Sequence, residues 1–265
     1  MKTPVERLSL RKRLALEVFR RMRENQKVLH PLKQLFWECT QRCNVHCKHC
    51  GSDCKRTTEI PDMPAEDFLR VVDSLTPHVD PHEVNIIITG GEPLVRDDLE
   101  QVGLALYRRG YPWGMVTNGL YLTAERLQSL LAAGLHAITV SLDGFADDHN
   151  WLRGHPDSYA RAMNAIRLLA QERDVKWDVV TCVNRRNYVR LEQLKDALYE
   201  AGVRRWRLFT IFPVGRAARY PEFQLDDRDF KGLMDFIRRT RREGKLRVSY
   251  GCEGFLGSYE GEVRE

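Results

Sequence analysis

The pattern of polar and apolar positions along this 265-residue chain changes rhythm near residue 30. Before that point Leu8, Leu10, Leu14, Leu16, Val18, Phe19 and Met22 recur at roughly helical spacing, which predicts an imperfectly amphipathic helix within residues 1–30. His30-Pro31 ends it, because proline disfavours helical backbone in the residue before it. From there short apolar runs alternate with longer amphipathic stretches. The runs Leu35–Cys39, Val84–Thr89, Trp113–Thr117, Ala137–Leu142, Trp177–Val183 and Trp206–Phe212 predict strands. Ala65–Leu75, Asp97–Arg109, Ala124–Ala133, Tyr159–Ala170 and Leu191–Ala201 predict the helices between them. Thr123 before Ala124, and Asp157-Ser158 before Tyr159, supply helix-starting side-chain oxygens. Such alternation implies parallel β-α units rather than a meander.

Six units can form part of a (β/α) barrel or an open doubly wound sheet. The placement of polar motifs favours the barrel. Cys39-Thr40, Gly90-Gly91-Glu92-Pro93, Thr117-Asn118-Gly119, Ser141-Leu142-Asp143-Gly144, Asn184 and Pro213-Val214-Gly215 follow the six strands in turn. A parallel barrel collects its functional groups on the face formed by all strand carboxyl ends. An open sheet concentrates them at one switch point. The expected fold is therefore α/β, a partial (β/α)6 TIM-like barrel over residues 31–215 behind the helix of residues 1–30. Residues 216–265 form an expected C-terminal extension, with a helix at Asp226–Arg242, a short strand at Leu246–Tyr250 and irregular chain after it. Glu253, Glu260, Glu262 and Glu265 make its end acidic and poor in apolar anchors. That end is expected to be mobile by itself, and the extension to open a further region of a longer protein.

Composition adds little to this, with 43% hydrophobic and 30% charged residues, as in ordinary soluble domains. No apolar run approaches the ~20 residues that span a bilayer, and the N-terminus is too charged for a secretory signal, so no transmembrane segment and a cytoplasmic location are expected. The net charge of +5 is uneven, since residues 1–30 hold nine Lys or Arg against three Glu. A basic helix suits an acidic partner, an anionic membrane surface or a peptide leader, and equally a helix packed on the domain with its charges in water. No nucleic-acid partner is expected.

The cysteines change the picture. There are seven, an odd number, and four fall between Cys39 and Cys50, which suits a metal site in a reducing compartment better than a disulfide framework. In Cys43-Asn44-Val45-His46-Cys47-Lys48-His49-Cys50, three thiols can converge from one loop on three corners of an iron–sulfur cube. Three ligands leave one metal position open, the mark of a catalytic rather than a structural centre. Zinc held by the same thiols with His46 or His49, or simple buried thiols, are the alternatives.

Cys-x3-Cys-x2-Cys beside a strand end, with His49 before the last Cys, resembles the signature of the radical S-adenosylmethionine (radical SAM) superfamily. Gly90-Gly91-Glu92-Pro93 matches that family's GGEP motif and Ser141-Leu142-Asp143-Gly144 a fourth-strand motif, so the likeness covers about residues 35–215. The resemblance implies a 4Fe–4S cluster on Cys43, Cys47 and Cys50, with the amine and carboxylate of S-adenosylmethionine on the open iron. It also implies reductive cleavage to a 5′-deoxyadenosyl radical, with flavodoxin or ferredoxin as reductant.

Further roles follow from the resemblance. Gly90 and Gly91 would let backbone approach the amine, Glu92 would accept from it or fix the turn, and Pro93 would stiffen that turn. Ser141 and Arg153 would meet the carboxylate, and Asp143 a ribose hydroxyl or its own loop. His49 would flank the cofactor, Asn118 and Asn184 would offer amides to ribose or substrate or close Asx turns, and Val214 would offer backbone to adenine. Cys39 and Cys182 are expected in the core, and Cys54 as a substrate or cluster contact. Cys252 alone cannot hold an auxiliary cluster. Similarity to the SPASM-type branch implies a peptide or protein substrate. Cofactor biosynthesis on a small molecule, or a non-catalytic iron–sulfur or zinc module, are the alternatives.

Overall fold

A computed structural model describes residues 8–252 and 254–264. The start of the predicted basic helix (residues 1–7) and the tail residues Glu253 and Glu265 lie outside the described residues. Seven strands make one sheet: β1 (Gln34–Glu38), β2 (Asn85–Thr89), β3 (Trp113–Thr117), β4 (Leu135–Ser141), β5 (Lys176–Val183), β6 (Arg205–Thr210) and β7 (Arg247–Tyr250). They pair in chain order and every pairing is parallel. With no reversal of strand order there is no switch point. All the carboxyl ends lie along one rim, as a partial TIM-like barrel requires.

The connecting helices are α2 (Ala65–Leu75), α3 (Leu99–Arg108), α4 (Ala124–Ala132), α5 (Ala146–Arg153), α6 (Ser158–Leu169), α7 (Arg185–Tyr188) and α8 (Leu191–Glu200), with α1 (Leu10–Leu29) before the sheet and α9 (Asp227–Glu243) before β7. Alternate strand residues carry the core. Ile86 and Ile88 of β2 are fully buried while Ile87 between them is not. Trp37 of β1 stacks on Phe68 of α2 with ring centroids 4.1 Å apart. The Thr123 side chain accepts from the Arg126 N–H at 3.1 Å and starts α4 as expected. Asp157 takes the corresponding place before α6 without a side-chain cap bond. Ser158 is buried, its hydroxyl 3.0 Å from His149 Nε2.

The sheet continues beyond residue 215, so among the described residues the barrel has seven strands where the sequence pattern suggests six. β7 pairs with β6 from Arg205↔Arg247 to Leu208↔Tyr250, and α9 buries Leu233, Met234, Phe236 and Ile237. Beyond β7, Val263 is fully buried and its carbonyl accepts from Tyr250 N–H at 2.7 Å. α1 buries none of its residues. Lys12 ties it to the chain end through Ser258 O at 2.9 Å and Glu262 at 2.7 Å. No described helix is long and apolar enough to cross a membrane.

Candidate functional site

At the carboxyl rim of the sheet lies a cavity of about 470 Å³. Cys43, Cys47 and Cys50 line it with His49, Gly90, Gly91, Glu92, Asn118, Ser141, Arg153 and Val214. Eleven of the fourteen residues named from the sequence as candidates therefore reach one space. Pro93, Asp143 and Asn184 stand outside its wall.

The cysteine loop is moored at several points. Cys43 N–H donates to Lys55 O at 2.8 Å, His46 N–H to Arg153 O at 3.0 Å and Lys48 N–H to Leu152 O at 2.8 Å. The last two bonds use carbonyls at the end of α5, which a helix end leaves free. All three thiols are unbridged. Burial pushes Cys43 up to about 12 and Cys47 up as well, so both hold their protons until a metal displaces them. Cys50 goes the other way, drawn down first by the Cys54 side chain. Three free thiols from one moored loop on one cavity wall fit a three-ligand cluster site.

The Gly90–Pro93 turn meets a steric requirement besides the expected one. A Cβ on Gly90 would meet Thr40 O at 2.4 Å, and one on Gly91 would meet Arg42 O at 2.1 Å. The glycines let the turn press against the backbone that leads into Cys43. Gly91 N–H donates to Thr40 O at 2.7 Å and Glu92 N–H to Arg42 O at 3.0 Å. The Glu92 carboxylate is buried, and its oxygens accept from Leu94 N–H (3.1 Å), Thr117 Oγ1 (2.7 Å) and Asn118 N–H (2.7 Å). Of the two expected roles, the structure assigns it the turn. Pro93 begins a buried 3-10 turn directly behind it.

Asp143 and Arg153 meet each other. Arg153 Nε donates to Asp143 Oδ2 at 2.6 Å, and Cys182 N–H donates to Oδ1 at 2.8 Å. Burial pushes the Asp143 carboxyl up, but Arg153 and the two neighbouring imidazoles outweigh it and hold it at about 2. Asp143 is thus the buried counter-ion that fixes Arg153 and its own loop, the second of its two expected readings. Arg153 keeps its place on the cavity wall, with Nη1 3.8 Å from Cys47 Sγ.

Asn184 caps α7: its Oδ1 accepts from Arg186 N–H at 2.9 Å and its own N–H donates to Asn187 Oδ1 at 2.8 Å, so of its two readings the structure has the turn. Asn118 closes a turn and also holds the cysteine loop. Its Oδ1 accepts from Leu120 N–H at 2.9 Å, and its Nδ2 donates to Asn44 Oδ1 at 2.7 Å on the cysteine loop. His49 is kept neutral by burial, down to about 4, and its Nδ1 has no partner among the described residues. Its ligand atom, with those of Asp143 and Cys182, falls within 4.8 Å. Cys39 is core as expected, whereas Cys182 and Cys54 line the cavity.

Sequence reasoning missed two residues. Arg216 is buried on the cavity wall and donates to Cys47 O (2.7 Å), Asp53 Oδ1 (2.7 Å) and Cys54 O (2.9 Å). Its position just after Pro213-Val214-Gly215 was the available signal. His149 accepts from Asp143 N–H at 2.9 Å through Nδ1, and nothing in its sequence context marks it.

The family model described as the Radical SAM superfamily matches residues 37–198. An "AdoMet-dependent heme synthase" of Methanosarcina barkeri is 26% identical over 217 residues, 82% of this chain and 60% of that protein. A "PqqA peptide cyclase" of Ruegeria pomeroyi is 27% identical over 183 residues, 69% of this chain and 48% of that protein. Among solved structures, Streptococcus suis SuiB bound to S-adenosylmethionine superposes with a TM-score of 0.69 at 16% identity, over 95% of this chain and 58% of that one. SuiB bound to its precursor peptide SuiA gives 0.68 at 17%, over 96% and 57%. The chain thus spans about half to three-fifths of the proteins it matches.

Proposed function

Because the chain belongs to the radical SAM superfamily, whose members use a 4Fe–4S cluster and S-adenosylmethionine, we propose that Cys43, Cys47 and Cys50 hold the cluster and that the adjoining wall holds S-adenosylmethionine. The convergence of the three thiols with Arg153, Ser141 and Asn118 on one cavity carries this reading. When bound, the two cofactors supply reductive cleavage of the sulfonium to methionine and a 5′-deoxyadenosyl radical that takes hydrogen from substrate.

The chain's own part is binding, orientation and exclusion of water. Arg153, fixed by Asp143, turns its remaining N–H groups to a carboxylate. Gly90 and Gly91 bring backbone to the cavity edge, and Asn118 offers its amide beside Cys43. Val116, Val180, Phe209, Ile211 and Phe212 form the apolar side, which limits water. Val214 offers backbone near an adenine edge, and the electron donor is a flavodoxin or ferredoxin.

The proposed substrate is a peptide or protein. The likeness in fold to SuiB, solved with its precursor peptide, and the likeness in sequence to a peptide cyclase support it. A small-molecule substrate in cofactor biosynthesis is the second reading, favoured by the match to a heme synthase over 82% of this chain. Anaerobic reconstitution tests the core of the proposal: about four irons per chain, and 5′-deoxyadenosine on adding dithionite and S-adenosylmethionine. Alanine at Cys43, Cys47 or Cys50 abolishes both. One equivalent of zinc with no iron uptake refutes it.

A further inference from the structure

Among the described residues eighteen large apolar side chains stand exposed, and seven of them belong to α1. Single scattered exposures need no account, but a concentration on one helix marks a surface that something covers. Leu10, Leu14, Val18 and Met22 follow one another at steps of four and form one stripe, in which Leu10 is 74% and Val18 68% exposed. Val28 and Leu29 extend the exposure to the end of the helix.

The helix is otherwise well made. Ser9 caps its start, accepting from Lys12 N–H at 3.4 Å, and His30 closes it in left-handed backbone (φ 43°). A helix of this kind draws most of its stability from an apolar face packed on something else. The body of the protein supplies little of that. None of α1 is buried, and a cavity of about 340 Å³ lies between Leu16 and Phe19 on one side and Gly257 and Gly261 on the other. Lys12 is the tether, through Ser258 O and Glu262.

Charge decides what kind of surface fits. α1 holds seven Lys or Arg against two Glu, a net +5 within the helix. Glu17 pairs with Arg20 and Arg21, and Glu24 with Arg20. Arg11, Arg13, Arg23 and Lys27 have no carboxylate partner among the described residues. Arg13, Arg20 and Lys27, at steps of seven, lie on the side opposite Val18. Arg11 and Arg21 stand along the stripe, where long stems carry the charge past it. A second copy of the helix would set like charge against like charge. A lone helix is also convex and offers an extended peptide no groove. A flat anionic surface takes the whole apolar side at once and meets the cations around it.

We propose that α1 docks this chain on an anionic lipid surface, its stripe from Leu10 to Met22 entering the acyl boundary and its cations meeting the headgroups. The inference stands apart from the cofactor reading, since no described residue of α1 lines the cysteine cavity.

The test uses the whole purified chain, with its iron content recorded, and vesicles of phosphatidylcholine alone or mixed with phosphatidylglycerol. Co-sedimentation is expected with the mixed vesicles and not with phosphatidylcholine alone. Raising salt from about 0.1 M to about 1 M shortens the screening length from about 10 Å to about 3 Å and should weaken partition about tenfold or more. Leu14→Gln with Val18→Gln changes exposed positions only and keeps the charge. Its far-UV circular dichroism should stay native while partition falls about tenfold or more. Arg23→Gln with Lys27→Gln should lower it about fivefold per charge removed. Three results overturn the proposal. One is no binding to the mixed vesicles at low salt. Another is undiminished binding by the Leu14→Gln, Val18→Gln variant, which is adsorption by charge alone and would suit an acidic protein as well. The third is a dimer seen by light scattering without lipid and lost in that variant, since a second copy then covers the stripe. A chain that binds the vesicles but takes up no iron would overturn the cluster reading and leave this inference standing.

Discussion

Gly91→Ala separates the two accounts of the glycine turn. On the expectation that glycine clears space for a bound amine, a side chain at Gly91 weakens S-adenosylmethionine binding and spares the cluster. The geometry predicts otherwise. The new Cβ would lie 2.1 Å from Arg42 O and 2.7 Å from Arg42 C, where real contacts essentially never fall under 3.0 Å. Both atoms are backbone, so relief requires the turn and the cysteine loop to part by about 1 Å, as overpacked sites do. That movement gives up the bonds from Gly91 N–H to Thr40 O and from Glu92 N–H to Arg42 O, 2.7 and 3.0 Å long. At about 1 kcal/mol each, with about 1–3 kcal/mol for the overlap, the loss is about 3–5 kcal/mol. Urea denaturation of the purified variant measures it, and an iron count after reconstitution should fall with it, because Arg42 adjoins Cys43. A variant with native stability, full iron and only weakened S-adenosylmethionine binding would refute the reasoning.

Arg153→Ala leaves Asp143 charged and buried without its cation. It should cost about 3–5 kcal/mol in urea, with part recovered by adding Asp143→Asn, and a cost under about 1 kcal/mol would return Arg153 to a purely ligand-facing role. His149 carries a pH signature. Burial outweighs the pull of Asp143 and lowers its pKa to about 3, against about 6.5 unfolded. The unfolded chain therefore binds the extra proton between those values. Stability from this group is full above pH 6.5 and lost as pH falls toward 3, by about 2 kcal/mol at pH 5. His149→Gln should flatten that part of the urea-midpoint profile, and an unchanged slope would exclude the assignment.

What the sequence determined by itself was everything set by local pattern. Strand and helix periodicity located the six expected strands and the helices between them, because burial on one face imposes a period of two or 3.6 wherever the chain lies. The polar motifs at successive strand ends announced the rim, and the spacing of Cys43, Cys47 and Cys50 within one loop announced the site, since neither depends on distant residues. α5 was missed because its eight residues, Ala146–Arg153, present more charge than apolar periodicity. What only the tertiary structure decided was which polar groups face the cavity and which hold its wall. The motifs left Glu92 and Asp143 open between a ligand contact and a hold on their own turn or loop, and in the fold their oxygens accept from Thr117, Asn118, Arg153 and the Cys182 amide. Arg216 stands 169 positions beyond Cys47, whose carbonyl it binds, and β7 joins the sheet only by pairing with β6. A buried charge must find its partner wherever the fold brings one, and that partner's place in the chain leaves no local pattern to read.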